Sequence, residues 1–210
     1  MSELIFATKS PVSLIHGLLE FSFKIKPSQI IGIIGTNGVG KSTFFQLIKM
    51  NQNKYFPGIQ LSFLEQRPLC PLGDLRGIDL LEMICDCFPE RSVYKSVQDN
   101  SLVEKWNFKD LLARPISSYS GGENQMLKLI ATFSINAQVY FLDEPTNHLD
   151  EKKKLLLEEH LLSLKNTGKI VFMIDHHLNF MQHFCDQVYE MKKNNSQLLQ
   201  FILSQGDYGP

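Results

Sequence analysis

The chain has 210 residues, a length that favours a single domain. Its 43% hydrophobic and 20% charged residues are typical of a globular protein with its own buried core. The 21 Lys and Arg residues nearly balance the 22 Asp and Glu residues, which excludes a protein that coats nucleic acid through a general basic excess.

The first predicted element is a strand over residues 18–25, where apolar and polar residues alternate from Leu19 to the turn at Lys26-Pro27-Ser28. We expect this strand at a sheet edge or in antiparallel pairing. Three later runs, at residues 30–34, 139–142 and 170–174, are continuously apolar, which is typical of strands buried on both faces. With helical segments between them, these runs predict an α/β fold with a mostly parallel sheet.

Between residues 67 and 118 the composition changes, because prolines punctuate short helical stretches such as residues 80–87 and 102–112. We interpret this segment as an α-helical subdomain inserted into one domain, whose core comprises residues 1–66 and 119–210. The charged stretch at residues 151–159 predicts an amphipathic helix with a solvated charged face, in preference to a polyanion site.

No run approaches the roughly 20 apolar residues that span a bilayer, so we expect no direct membrane insertion. The N-terminus lacks the pattern of a signal peptide, which favours a cytoplasmic protein. The four cysteines show no zinc-type spacing and are expected to be reduced structural thiols; they are Cys70, Cys85, Cys87 and Cys185.

A glycine-rich loop directly follows the apolar run at residues 30–34 and matches G-x-x-x-x-G-K-[ST], with a predicted helix after it. Gly38 and Gly40 would let the backbone wrap closely around phosphate oxygens. Lys41 would reach the β- and γ-phosphates, and the Ser42 hydroxyl would bind Mg²⁺. The predicted triphosphate-binding residues are Gly35, Thr36, Asn37, Gly38, Val39, Gly40, Lys41, Ser42 and Thr43.

Two carboxylates, Asp143 and Glu144, end the apolar run at residues 139–142. The carboxyl end of a parallel strand lies at the same sheet edge as the phosphate loop. Asp143 would therefore hold Mg²⁺, and Glu144 would act as general base toward the attacking water. Taken alone, the pair would be a loop that caps the next helix.

Together with Ser120-Gly121-Gly122-Glu123, these motifs resemble those of the ATP-binding cassette (ABC) ATPases over nearly the whole chain. The resemblance implies a P-loop NTPase core with a small N-terminal antiparallel β part. It assigns Gln66 to the Q-loop beside Mg²⁺, Asp150 to the D-loop and His176 to the switch position. It also implies a head-to-tail dimer, in which the stretch 120–123 of one cassette covers the ATP bound to the other. Without the family, that stretch would be only a helix start.

Three features resemble the F subfamily, whose members mostly act on ribosomes. They are the sequence of residues 144–150, Glu123, and the short interval between Ser42 and Gln66. The alternative is the ATP-binding subunit of a membrane transporter that works with a separate permease. A third hypothesis, a non-hydrolysing nucleotide-dependent scaffold, is disfavoured by the intact Glu144. Departures from the family pattern are Ser28-Gln29, Met126, His177 and the lack of a clear adenine-stacking aromatic, for which Phe6 is the candidate.

Overall fold

The computed structural model describes residues 4–7, 12–14, 17–66, 75–87, 96–176, 180–181, 184–193 and 198–203. Its strands are β1 (Leu4–Ala7), β2 (Val12–Leu14), β3 (Gly17–Glu20), β4 (Ser22–Ile25), β5 (Gln29–Ile34), β6 (Leu61–Leu64), β7 (Val139–Asp143), β8 (Ile170–Ile174), β9 (Gln187–Lys193) and β10 (Leu198–Leu203). Its α-helices are α1 (Lys41–Met50), α2 (Gln52–Tyr55), α3 (Gly77–Cys87), α4 (Ser101–Lys105), α5 (Gly121–Phe133) and α6 (Glu151–Asn166).

Within the described residues, the main sheet has the strand order β2-β3-β10-β9-β5-β8-β7-β6. Five neighbouring strands, β9, β5, β8, β7 and β6, run parallel. Antiparallel pairing joins β10 to β9, β2 to β3 and, in a separate small sheet, β1 to β4. The predicted α/β fold, with a mostly parallel sheet and a small N-terminal antiparallel part, is therefore confirmed.

The single strand predicted over residues 18–25 is wrong, because the chain forms two strands there. β3 pairs with β10 in the main sheet, β4 pairs with β1, and the chain changes sheet at Phe21. The alternation of apolar residues hides this break, since Leu19, Phe21 and Phe23 are all buried in one core cluster. Hydrophobic period reports the buried face and not the strand with which a segment pairs.

The predicted helical stretch at residues 102–112 also ends earlier than expected. Helix α4 stops at Lys105, and a separate 3₁₀ turn follows at Lys109–Leu111. Asn107 has a φ of +51°, and the N–H groups of Asn107 and Phe108 donate to the carbonyls of Glu104 and Val103. This is a Schellman-type helix end, in which asparagine replaces the usual glycine.

The sheet carries a hydrophobic cluster on each face, since alternate residues of a strand point in opposite directions. Tyr140 and Leu142 of β7 belong to a cluster with α5 and α6, whereas Phe141 belongs to a cluster with α1 and β4. Phe141 stacks on Phe172 of the neighbouring β8 with ring centroids 4.9 Å apart. The sheet is therefore covered on both faces, as the continuously apolar runs predict.

Helix α6 contains the charged stretch at residues 151–159 and is amphipathic only in part, because Leu155 and Leu162 are exposed beside the charged side chains. Leu157, Leu161 and Leu164 are buried against the core, and charged side chains such as Glu151 and Glu159 are exposed. Among the described residues, no helix has the length and apolar character needed to cross a lipid bilayer.

His160 of α6 lies at the contact between α6 and the Trp106 region. Its ring packs 4.3 Å from the ring of Phe133 and 6.1 Å from that of Trp106, measured between centroids. Neither His160 Nε2 nor Trp106 Nε1 has a hydrogen-bond partner among the described residues. Burial, assisted by the charge of Lys105, lowers the pKa of His160 to about 4.

This lowered pKa predicts that acid destabilises the fold. Unfolding exposes His160, which then binds a proton at pH values between about 6.5 and about 4, whereas the folded protein does not. The stabilisation is present above this window, and we expect a loss of at most about 3 kcal/mol as the pH falls through it. Urea denaturation of His160→Gln should show a shallower dependence of unfolding free energy on pH.

Candidate functional site

Four loops with predicted site residues leave the carboxyl ends of four neighbouring parallel strands. They follow β5, β8, β7 and β6, and they carry Lys41, His176, Glu144 and Gln66 respectively. The carboxyl ends of parallel strands meet at one edge of a sheet. The strand order therefore brings together residues that are far apart in the sequence.

The phosphate loop of residues 35–42 joins β5 to α1, and α1 begins at Lys41 as predicted. Gly35 and Gly40 have φ angles of +149° and +115°, in a region that side chains disfavour. Lys41 Nζ donates to the carbonyl oxygens of Gly35 at 2.8 Å and Thr36 at 3.2 Å. The ammonium group is thus held over its own loop, with its pKa lowered by burial although Glu144 and Asp143 oppose this effect.

Asp143 ends β7 and is only 6% exposed. The Ser42 hydroxyl donates to its carboxylate, but Oδ1 has no hydrogen-bond partner among the described residues. Burial raises the pKa of Asp143 to about 6 against the effect of the Ser42 hydrogen bond. Gln66 lines the same small cavity as Ser42 and Asp143. A buried carboxylate oxygen without a partner, beside a hydroxyl and an amide, fits the oxygen ligands that Mg²⁺ prefers.

Glu144 is held at both ends. Its N–H donates to the carbonyl oxygen of Ile174 at 2.8 Å, which ties it to the end of β8. Its carboxylate pairs with His176 Nε2 at 2.7 Å and accepts a hydrogen bond from Asn147 Nδ2. The φ angle of Glu144 is +51°, which is uncommon for a side-chain-bearing residue and typical of functional loops.

His176 follows Asp175 at the end of β8, and the two residues differ in environment. Asp175 is 2% exposed and accepts a hydrogen bond from the hydroxyl of Thr146 at 2.7 Å. His176 is exposed and lines a cavity of about 340 Å³ together with Lys41, Glu144 and other predicted residues, namely Asn37, Gly38, Gly40, Ser42, Thr43 and Gln66. The structure thus brings the predicted phosphate-loop, base, Q-loop and switch residues around one space.

Ser120 caps helix α5 in a capping box, as the local sequence pattern indicates. Glu123 N donates to the Ser120 hydroxyl at 3.2 Å, and Ser120 N donates to the Glu123 carboxylate at 2.7 Å. The second of these bonds is the main reason why the pKa of Glu123 is lowered. The side chain of Arg114 braces the box through Glu123 at 3.1 Å and the carbonyl of Ser118 at 2.9 Å.

Gly121 and Gly122 pack directly on the D-loop, which comprises residues 147–150. A Cβ at Gly122 would lie 2.7 Å from the carbonyl oxygen of His148, and one at Gly121 would lie 3.3 Å from the ring of His148. The ring and the carbonyl of His148 thus lie against the start of α5. Asp150 caps α6, where its carboxylate accepts from Lys153 N at 2.9 Å and pairs with Lys153 Nζ at 3.1 Å. A contact of Asp150 with nucleotide stays a prediction.

The structure also shows two site neighbours that the sequence does not predict, namely Arg114 and Gln125, and it brings Asn147 of the predicted D-loop into contact with Glu144. Gln125 Nε2 donates to the carbonyl oxygens of Glu144 and Pro145. Each of these residues is polar and lies close to a predicted motif in the sequence, but no spacing rule assigns it a partner. His177 and Cys70 lie outside the described residues, as does the side chain of Phe6.

Comparison with known proteins agrees with this geometry. The model of the family described as "ABC transporter" matches residues 18–147, which is more than half of the chain. The chain belongs to the ABC transporter family. The predicted ATP-binding cassette is therefore confirmed.

Two relatives illustrate the range of proteins that contain similar cassettes. The cassette is 30% identical to elongation factor 3 of Phytophthora infestans over 175 residues, which are 81% of this chain and 16% of that protein. It is 28% identical to the vitamin B12 import ATP-binding protein BtuD of Pectobacterium atrosepticum over 201 residues, which are 84% of this chain and 79% of that protein. The cassette thus spans a small part of one relative and most of the other.

The fold agrees with a solved structure of a nucleotide-free ATP-binding cassette from an ABC transporter. The two chains superpose with a TM-score of 0.71 at 18% identity, covering 94% of this chain and 90% of that one. At this identity the likeness concerns the fold alone, and it agrees with the α/β architecture of the ABC family.

Proposed function

We propose that this cassette binds Mg-ATP and hydrolyses it to ADP and phosphate at a site shared between two cassettes, which drives a conformational change. The observation that supports the proposal most directly is the convergence of Lys41, Asp143, Glu144 and His176 at one sheet edge. Lys41 Nζ would exchange its bonds to the carbonyl oxygens of Gly35 and Thr36 for contacts with the β- and γ-phosphates. The N–H groups at the start of α1 would face the same oxygens.

Mg²⁺ would be held by the Ser42 hydroxyl, the Asp143 carboxylate and Gln66. When bound, the ion would offset negative charge on the β- and γ-phosphates. Asp143 Oδ1 is buried and has no hydrogen-bond partner within the described part of the chain, so it is available as such a ligand. Its pKa is raised to about 6, so the carboxylate is charged only above about that pH. Since a cation binds the charged form, we expect Mg²⁺ binding above this pH.

Glu144 would act as the general base and accept a proton from the attacking water. A general base must lie within hydrogen-bond reach of that water. His176 Nε2 lies 2.7 Å from the Glu144 carboxylate and so holds the orientation of the base. Gln66 lines the cavity that also holds Lys41 and Glu144, so its amide would lie beside the γ-phosphate and the attacking water.

The second cassette would supply the other half of the site. Ser120 is exposed at the N-terminus of α5, and the adjacent Gly121 is also exposed. A helix N-terminus favours bound anions through its N–H groups and its dipole. We therefore assign residues 120–123 to the surface that covers the ATP of a second cassette, and Asp150 to the same closing face. The partner is either a second copy of this chain or a related cassette.

For the process that ATP drives, we propose a cytoplasmic role in translation of the F-subfamily type. The support is the string at residues 144–150 and the similarity to elongation factor 3. The second candidate is an ATP-binding transporter subunit, which the similarity to BtuD over most of that protein's length favours. In either case we propose that the helical subdomain at residues 67–118 contacts the partner, whether ribosome or permease. This subdomain is inserted between core segments 1–66 and 119–210. Co-purification with ribosomal particles or with a membrane permease separates the two candidates.

A mixing experiment tests the composite site. Lys41→Ala removes the phosphate contact of a chain's own loop, and Ser120→Arg blocks the face that this chain offers to its partner. Each variant alone should be inactive. In an equal mixture, half of the dimers would contain one intact composite site, so activity should return to at most about a quarter of the wild-type rate.

Ser117→Arg is the matched control, because it adds the same bulk to an exposed side chain three residues before Ser120. This variant should retain activity alone. Full activity of Ser120→Arg alone would contradict the shared site. Recovery in the mixture, measured by phosphate release, would show that this chain pairs with itself.

A further inference from the structure

Gln125 connects helix α5 to the loop at residues 144–150, which carries the candidate base. It lies on α5, is 6% exposed, and donates through Nε2 to the carbonyl oxygen of Glu144 at 3.1 Å and to that of Pro145 at 3.0 Å. The amide nitrogen of Gln125 therefore donates to two consecutive carbonyls of this loop, within the capacity of a primary amide.

A second contact joins the same two elements closer to the start of the helix. Gly122 lies so near His148 that an added Cβ would come within 2.7 Å of the His148 carbonyl oxygen. Close packing of backbone on backbone leaves little room for sliding. The first turns of α5 and the loop at residues 144–150 therefore move together, with Gln125 as the hydrogen-bonded link.

The position of this loop matters because it sets the position of the base. Glu144 has a φ of +51°, a conformation that surrounding contacts must hold in place. Its N–H donates to the carbonyl oxygen of Ile174, and its own carbonyl oxygen accepts from Gln125 Nε2 and from Asn147 N at 3.2 Å. Loss of the Gln125 contact would leave this carbonyl only its bond within the loop and would remove its link to α5, while the contact with β8 remained.

We propose that Gln125 is a positioning residue that couples the two ATP sites of a cassette dimer. The inference rests on the proposed function. In a head-to-tail dimer, Ser120 of one chain faces the ATP of its partner, whereas Glu144 of that same chain acts on its own ATP. Helix α5 carries Ser120 at its start and Gln125 within its second turn. Closure over one ATP would thus set the base that acts on the other.

The coupling predicts cooperative hydrolysis that depends on Gln125. Gln125→Met keeps the length of the side chain but removes both donors. We expect kcat to fall about 10–100-fold, since small displacements of a catalytic group have effects of this size. The Mg-ATP affinity should stay within about twofold, because Gln125 touches no predicted phosphate contact. The Hill coefficient for ATP hydrolysis should fall from above 1 to 1.

Thr132→Val is the matched control. Thr132 is also 6% exposed on α5, but its hydroxyl donates to Lys128 within the same helix. Removing that bond perturbs the helix without touching the base loop, so kcat and the Hill coefficient should remain those of the wild type. If Gln125→Met does not fold, Gln125→Asn serves instead, since it keeps the amide but is one methylene too short to reach both carbonyls.

The outcomes separate this inference from the proposed function. A wild-type chain that hydrolyses ATP with a Hill coefficient of 1, or a folded Gln125 variant with wild-type kcat and cooperativity, overturns the coupling and leaves the proposed function intact. An equal loss in Thr132→Val also overturns it, because the effect would then belong to the helix. A wild-type chain that binds Mg-ATP without hydrolysing it overturns the proposed function and this inference together.

Discussion

Glu144→Gln should lower the rate of ATP hydrolysis by about 10²–10⁴-fold, because it removes the general base. The glutamine amide keeps the shape of the side chain, and its oxygen can still accept from Asn147 Nδ2. The backbone N–H of residue 144 keeps its bond to the end of β8, which does not involve the side chain. Mg-ATP should therefore bind and stay bound. Phosphate release measures the first effect, and equilibrium binding of Mg-ATP measures the second.

The same variant should accumulate as a dimer if two copies share the site. ATP held between Lys41 of one chain and Ser120 of another stabilises the paired state, because it binds the dimer in preference to the monomer. Light scattering should show the mass doubling with Mg-ATP but not with ADP, and an added Ser120→Arg should abolish the doubling. Glu151→Gln changes a carboxylate that is 88% exposed and should hydrolyse ATP normally. A stalled Glu144→Gln that remains monomeric at high concentration would show that the partner is a different cassette.

Lys41→Ala should weaken Mg-ATP binding by roughly 10–100-fold, since charge-assisted contacts of this kind contribute about 1.5–3 kcal/mol. The lysine is 7% exposed and its ammonium is already directed at the loop carbonyls. Little ordering of the side chain is then needed for it to reach a phosphate. Titration calorimetry gives the affinity directly.

Lys49→Ala provides the control for charge, because it removes a lysine from the same helix α1. Its side chain is 52% exposed and pairs with Glu65 at 2.6 Å. Exposed ion pairs contribute little to stability, so both folding and nucleotide affinity should be nearly unchanged. Equal affinities in Lys41→Ala and Lys49→Ala would reject the phosphate-loop assignment.

Local patterns in the sequence determined the strands that carry the site and the motifs at their ends. The run at residues 30–34, the glycines after it and Lys41 predict the phosphate loop, and the start of α1 at Lys41 agrees. Asp143 and Glu144 follow a strand that is buried throughout, as its apolar composition indicates. These features depend on neighbouring residues, so a short window contains the information.

The tertiary structure alone decided which loops meet. Strand order places β8 between β5 and β7, which brings His176 beside Glu144, and no local pattern encodes that order. It also decided the break at Phe21, because both segments face the same core while they pair in different sheets. The role of Gln125 has the same origin, since its two partners are carbonyl groups, which every residue possesses. Contacts between backbone groups distant in sequence leave no residue-type signal, and they appear only when the chain is folded.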